Sequence, residues 1–122
     1  MLIIPDSFRI EESLRLAREY ALGFEYNDFY QNMDDTTAIE GMIEQYLRNP
    51  PPERCTLHGA FFDLVVGSAD LEIRAISRKR LAQSIEIGKK LKARVVVFHT
   101  NTIANFHSRA YQESWLTENA AF

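Results

Sequence analysis

Cysteine is nearly absent from this 122-residue sequence: Cys55 stands alone. An internal disulfide is therefore excluded, and a reducing, cytoplasmic setting is the natural expectation. No stretch approaches 18 apolar residues, so no membrane-spanning helix is expected, and the opening Met-Leu-Ile-Ile-Pro-Asp has neither a basic leader nor a long apolar run. An excess of positive charge is missing too. Lys and Arg number 14 against 17 Asp and Glu, a net charge of −3 that argues against a surface built to neutralise nucleic-acid phosphates. GxGxxG, a Walker-type glycine-lysine loop, CxxC, HExxH and GxSxG are all absent. Nucleotide-binding, zinc-finger, metalloprotease and serine-hydrolase readings thus lose their support.

What is present is the composition of one folded domain, residues 1–122, at 46% hydrophobic and 25% charged. Two element types alternate along it. Leu2-Ile3-Ile4 is a short strand stopped by Pro5, and Ser7 caps a helix whose apolar positions are Ile10, Leu14, Ala17 and Ala21, ended by Gly23. Phe24 to Phe29 alternates as a second strand and its exit. Thr36 or Thr37 caps a second helix with Ile39, Met42, Ile43, Tyr46 and Leu47 on one face, which Asn49 and Pro50-Pro51-Pro52 terminate. Cys55 to His58 is a third strand. A long helix follows from about Asp70 to about Lys92, its inner face expected to carry Ile73, Ile76, Leu81, Ile85, Gly88 and Leu91. Gly88 is disfavoured by helix propensity, and close packing against a sheet is the expected reason for it. Arg94 to His99 is a fourth strand, whose unbroken apolar run predicts burial on both faces. A fourth helix begins near Gln112. The order β-α-β-α-β-α-β-α implies parallel strands with right-handed crossovers, either as an open doubly wound sheet or as half of a (β/α)8 barrel.

Polar residues gather where the strands end. Asp6 follows the first strand; Glu25, Asn27 and Asp28 belong to the second; His58 ends the third; His99, Thr100 and Asn101 end the fourth. In parallel α/β proteins this edge collects active sites. Adjacent strands lie about 4.8 Å apart, so two histidines at equivalent positions could reach one metal ion or one substrate, with Glu25 one strand further along. His107, in a polar loop, reads as solvated. Cys55 reads as a packed thiol, and the basic run from Arg74 to Arg94, interleaved with acids, as a solvated outer helix face.

Three segments, Gly23-Phe24-Glu25-Tyr26-Asn27-Asp28-Phe29, Leu57-His58-Gly59-Ala60-Phe61-Phe62-Asp63-Leu64 and Val95-Val96-Val97-Phe98-His99-Thr100-Asn101, give the chain its resemblance to the xylose-isomerase-like TIM-barrel superfamily. Ser84-Ile85-Glu86-Ile87-Gly88 before Leu91 also looks like that superfamily's third helix. The superfamily joins sugar-phosphate isomerases, hexulose epimerases and nucleases of the endonuclease IV type. The resemblance implies a (β/α)4 half of a TIM (β/α)8 barrel, truncated within the fourth helix, because a whole barrel needs roughly 250 residues. It places His58 and His99 at the ends of the third and fourth barrel strands as metal ligands, for zinc, manganese or magnesium. Glu25, Asn27 and Asn101 become substrate-binding groups. The carboxylates and histidines of strands five to eight, with the catalytic glutamate, are missing from this chain.

Function follows as an expectation: a sugar phosphate isomerase- or epimerase-like protein, moving a proton between adjacent carbons with metal assistance when whole, and inactive as this chain alone. A sugar or sugar phosphate is the expected small-molecule partner, with no nucleic acid and no membrane. A zinc nuclease fragment of the endonuclease IV type, or a non-catalytic half-barrel that self-assembles, is the alternative. Two open sheet edges and an exposed inner face predict a homo-oligomer formed through that face.

Overall fold

The computed structural model describes residues 1–100 and 108–121. Four strands, β1 (Leu2–Ile3), β2 (Gly23–Tyr26), β3 (Thr56–His58) and β4 (Val96–Val97), alternate with four helices, α1 (Ile10–Tyr20), α2 (Thr36–Arg48), α3 (Leu71–Lys90) and α4 (Arg109–Ala120). All three strand pairings are parallel and the order is β1-β2-β3-β4. The sheet does not close. This is a half-barrel-like α/β fold, a (β/α)4 unit with β1 and β4 as its edges. Among the described residues no helix is long and apolar enough to cross a membrane.

Local chemistry explains the elements and corrects several expected boundaries. Asp6, not Ser7, caps the first helical segment: its carboxylate accepts from the Phe8 amide through a one-turn 3-10 helix (Ser7–Arg9) that leads into α1. Asp35, not a threonine, caps α2 by accepting from the Ala38 amide at 2.9 Å. A carboxylate there also suits the positive end of the helix dipole. At the far end of α1, Ala21 adopts the left-handed conformation, with φ of 50°, so Gly23 is not the terminator. Gly23 opens β2 instead, where a Cβ would lie 1.9 Å from the Arg54 carbonyl oxygen.

Successive strand residues point to opposite faces of the sheet. One face is covered by helices: Phe24 and Tyr26 of β2 and Leu57 of β3 are fully or almost fully buried, and Tyr26 packs on Tyr46 of α2 with ring centroids 4.4 Å apart. Gly88 lies where α3 crosses this face, and a Cβ there would meet Val96 Cγ2 at 2.6 Å, so close packing on the sheet does account for the glycine. The other face is only partly covered by the described residues, half-buried at its centre and exposed at its edges. Leu2 and Ile4 are exposed, and Val95 and Val97 of the β4 segment are 49% and 40% exposed. The expected two-sided burial of the fourth strand is therefore not met among the described residues, where β4 is an edge strand and Val95 and Val97 stay exposed.

The inward face of α3 differs from the expected one. Ser77, Leu81, Ser84, Ile87 and Gly88 are buried, while Ile73 and Ile76 are exposed and Ile85 is half-buried. Each buried serine satisfies itself twice. Ser77 Oγ donates to the Ile73 carbonyl and accepts from the Val65 amide at 2.8 Å, while Ser84 Oγ donates to the Arg80 carbonyl and accepts from the Ala60 amide at 3.0 Å. The two hydroxyls thus pin the loop between β3 and α3 to the helix. Leu47 of α2, expected inside, is also exposed.

Candidate functional site

His58 and His99 meet at the rim where the strands end. Their Nε2 atoms are 3.1 Å apart and their ring centroids 4.8 Å. The two are not at equivalent register positions, however: His58 pairs with Val97, which places His99 two residues further along its strand. The rings meet because His99 lies beyond the last paired residue of β4, at the level of the loop that follows His58. Gly59 sits close beneath, where a Cβ would come within 2.2 Å of the Phe98 ring, so the chain entering His99 packs directly on the chain leaving His58.

The hydrogen bonding of the pair has a definite sense. His58 Nδ1 lies 3.1 Å from the Gly59 carbonyl oxygen. A carbonyl only accepts, so Nδ1 carries the proton in the neutral ring and Nε2 presents a lone pair. His99 Nε2 then donates to it. A backbone carbonyl holding one imidazole N–H, as Gly59 does for His58, is also how metal-ligating histidines are oriented. Two nitrogens bound to a single tetrahedral zinc at the usual bond length would be about 3.3 Å apart, close to the spacing seen here. The donor set therefore fits two corners of a metal site. Among the described residues no group of three or more His, Cys, Asp or Glu side chains is placed to hold a metal, so they supply two ligands and not a complete set.

Glu25 and Asn27 lie on the same open face. Glu25 pairs in register with Thr56, and continuing that register sets Asn27 beside His58. Asn27 Oδ1 and Thr56 Oγ1 are buried and accept or donate no hydrogen bond among the described residues. Buried polar atoms are rarely left so, and Arg78 Nε on α3 is a third among the described residues. Asn27 also lines a groove of about 340 Å³ between the loops after β1 and β2, with Ile4, Asp6, Phe8 and Tyr30. Asn101 and His107 lie outside the described residues. Thr100 is exposed.

Other rim residues are structural. Asp28 accepts from the Tyr46 hydroxyl at 2.7 Å and so ties the β2 exit to α2. Burial, then that bond to Asp28, pushes the Tyr46 phenol well above its ordinary range. The Arg9 guanidinium bonded to Asp6, then the Phe8 amide, hold the Asp6 carboxyl below its usual value. Burial raises the Cys55 thiol, whose Sγ faces the Leu91 and Lys92 carbonyls at 3.7 and 3.9 Å, as expected of a packed thiol.

The basic run is largely paired: Arg78 with Glu118, Lys89 with Glu86, Lys90 with Glu40. Arg80 departs from the solvated reading, with a side chain only 14% exposed that donates to the Met33 carbonyl and to both oxygens of Asp34. It helps line a second groove, of about 280 Å³, with Tyr30, Ala60, Phe61 and Phe62. Phe61, which sequence patterning does not single out, stacks edge-on against His58 at 4.7 Å and lies 5.2 Å from His99. The available signal is its place three residues after His58, in a loop held by a buried serine.

No protein-family model matches the chain, and neither does any curated protein. Among solved structures it is similar to the TTHB071 protein from Thermus thermophilus, soaked with ZnCl2, with a TM-score of 0.76 and 21% identity over 98% of this chain. That match covers 48% of the Thermus chain, so this chain spans about half the length of its structural neighbour. At that identity the likeness shows the fold: the same four-strand unit occurs within a chain about twice as long.

Proposed function

We propose that this chain is one half of a sugar or sugar-phosphate isomerase or epimerase, the half that supplies two imidazoles of a metal centre and part of the sugar-binding wall. The observation that carries this reading is the convergence of His58 and His99 Nε2 at 3.1 Å on the strand-exit rim. In it, His58 and His99 hold a divalent ion; imidazole suits zinc better than manganese or magnesium. When bound, such an ion polarises a carbonyl and an adjacent hydroxyl of the sugar. The Gly59 carbonyl keeps the His58 proton on Nδ1, which leaves Nε2 as the ligand atom. Asn27, which lines the groove between the loops after β1 and β2, bonds one sugar hydroxyl through its amide, and Glu25 accepts from another. The base that takes a proton from carbon is not supplied by these residues, so turnover by this chain alone is not expected.

The partly covered sheet face and the incomplete ligand set call for the same thing, a second set of strands. A second copy, rotated about an axis parallel to the strands, would bring β4 of each protomer beside β1 of the other. Both edges then close in parallel, and eight strands enclose a filled interior. Leu2 and Ile4 at one edge and Val95 and Val97 at the other supply the aliphatic contacts. The solved structure soaked with ZnCl2 makes zinc the first ion to try.

The test is to titrate a ketose and its phosphate into isotopically labelled protein with and without zinc, following amide and imidazole resonances. Zinc-dependent shifts at His58, His99, Glu25 and Asn27, without exchange of the sugar C–H for deuterium, are expected. Shifts that ignore zinc, or none at this rim, contradict the reading.

A further inference from the structure

Three rings close a triangle at the rim. His58 and His99 lie 4.8 Å apart at 76°, Phe61 and His58 4.7 Å apart at 74°, and Phe61 and His99 5.2 Å apart at 43°. His58 has a backbone partner, the Gly59 carbonyl; His99 is exposed, and the polar contact it makes among the described residues is with His58 itself. An imidazole turns about two side-chain torsions, and the described contacts of the exposed His99 ring are with His58 and Phe61, so its orientation rests on those two neighbours. Phe61 packs against both rings.

Phe61 is itself held. Its ring lies 4.3 Å from Phe62 and 5.0 Å from Tyr30, and the amide of the preceding Ala60 donates to the buried Ser84 hydroxyl of α3. The rigid helix thus reaches the histidine pair through Ser84, Ala60 and Phe61.

We infer that Phe61 is the positioning residue of the His58–His99 pair, fixing the separation and angle at which the two Nε2 atoms present themselves. This rests on the reading of the pair as two metal ligands. Removing the ring deletes no ligand. It frees the two imidazoles, so metal affinity falls while the number of donors stays the same. Groups that orient ligands without touching the metal are worth roughly 10- to 100-fold in affinity.

The experiment titrates Co²⁺ into the wild-type chain, Phe61→Ala and Phe61→Leu, reading affinity and the visible ligand-field bands, with thermal melts to confirm that each is folded. Phe61→Ala is expected to bind roughly 10- to 100-fold more weakly with shifted bands, and Phe61→Leu, which restores most of the bulk, to recover much of both. Equal affinity and identical bands in folded Phe61→Ala overturn the inference. A wild-type chain that takes up no cobalt sinks the metal reading instead. The inference is then decided in the metal-free protein by the imidazole proton resonances of His58 and His99. Positioning predicts that both collapse toward those of a freely rotating ring in Phe61→Ala and are restored in Phe61→Leu; unchanged resonances overturn it.

Discussion

The two faces of this sheet have opposite fates. Phe24, Tyr26 and Leu57 point into the helices and are almost wholly buried, whereas Leu2, Ile4, Val95 and Val97 point away and remain 40 to 61% exposed. On the first face apolar groups meet apolar groups and the fold gains its stability. On the second, aliphatic side chains at the edges flank polar ones at the centre, Glu25, Thr56 and His58. An antiparallel sheet facing water would show polar residues across its open face; a parallel sheet is ordinarily covered on both. The contrast places the apolar packing of the described residues on the helix side, while the aliphatic side chains at the edges of the other face stay exposed among those residues.

That contrast can be broken by mutation. Phe24→Ala, on the covered face, should cost about 3–5 kcal/mol in denaturant unfolding. Ser84→Ala strands the buried Ala60 amide without its acceptor, which should cost about 1–3 kcal/mol and loosen the loop that carries Phe61. Val97→Ala, on the open face, should cost under about 1 kcal/mol in dilute protein; a loss matching that of Phe24→Ala would show that the open face is covered within the chain. His58→Ala should change stability by less than about 0.5 kcal/mol while abolishing metal uptake, measured by denaturation beside a zinc titration.

The smallest effect is that of acid. The Arg80 guanidinium holds the Asp34 carboxyl below its ordinary value of 3.8. A carboxyl depressed in the folded state stabilises above that value and loses its contribution as pH falls through the lowered one. Urea midpoints of wild type and Asp34→Asn should therefore differ slightly at about pH 6 and converge near pH 2, and because Asp34 is 82% exposed the difference is small.

Much of the architecture is legible in the sequence. The alternation of short apolar runs with amphipathic stretches, punctuated by Pro5 and Pro50-Pro51-Pro52, is a local signal, and it is enough to set four parallel strands in order. The meeting of His58 and His99 also follows from their places at two strand ends. Their two-residue offset does not, because register is settled by how strands pack and not by motif position. The orientation of α3 escapes apolar periodicity because its inward face is built from small residues. Ser77, Ser84 and Gly88 let the helix approach the sheet, and serines whose hydroxyls donate to the carbonyls of Ile73 and Arg80, one turn back, are not polar in effect. The apolar run of β4 predicts burial on both sides, and among the described residues only one side is covered, a difference that apolar content alone does not signal. Asp6 and Asp28 look like site residues, yet their oxygens are taken by the Phe8 amide and the Tyr46 hydroxyl. Phe61 carries no polar signature at all.

The most direct test is native mass spectrometry of the chain with and without zinc, for wild type and for the variant with both His58 and His99 changed to alanine. The account predicts an even-numbered assembly that retains zinc in the wild type and none in the variant. A metal-free monomer in both would contradict it.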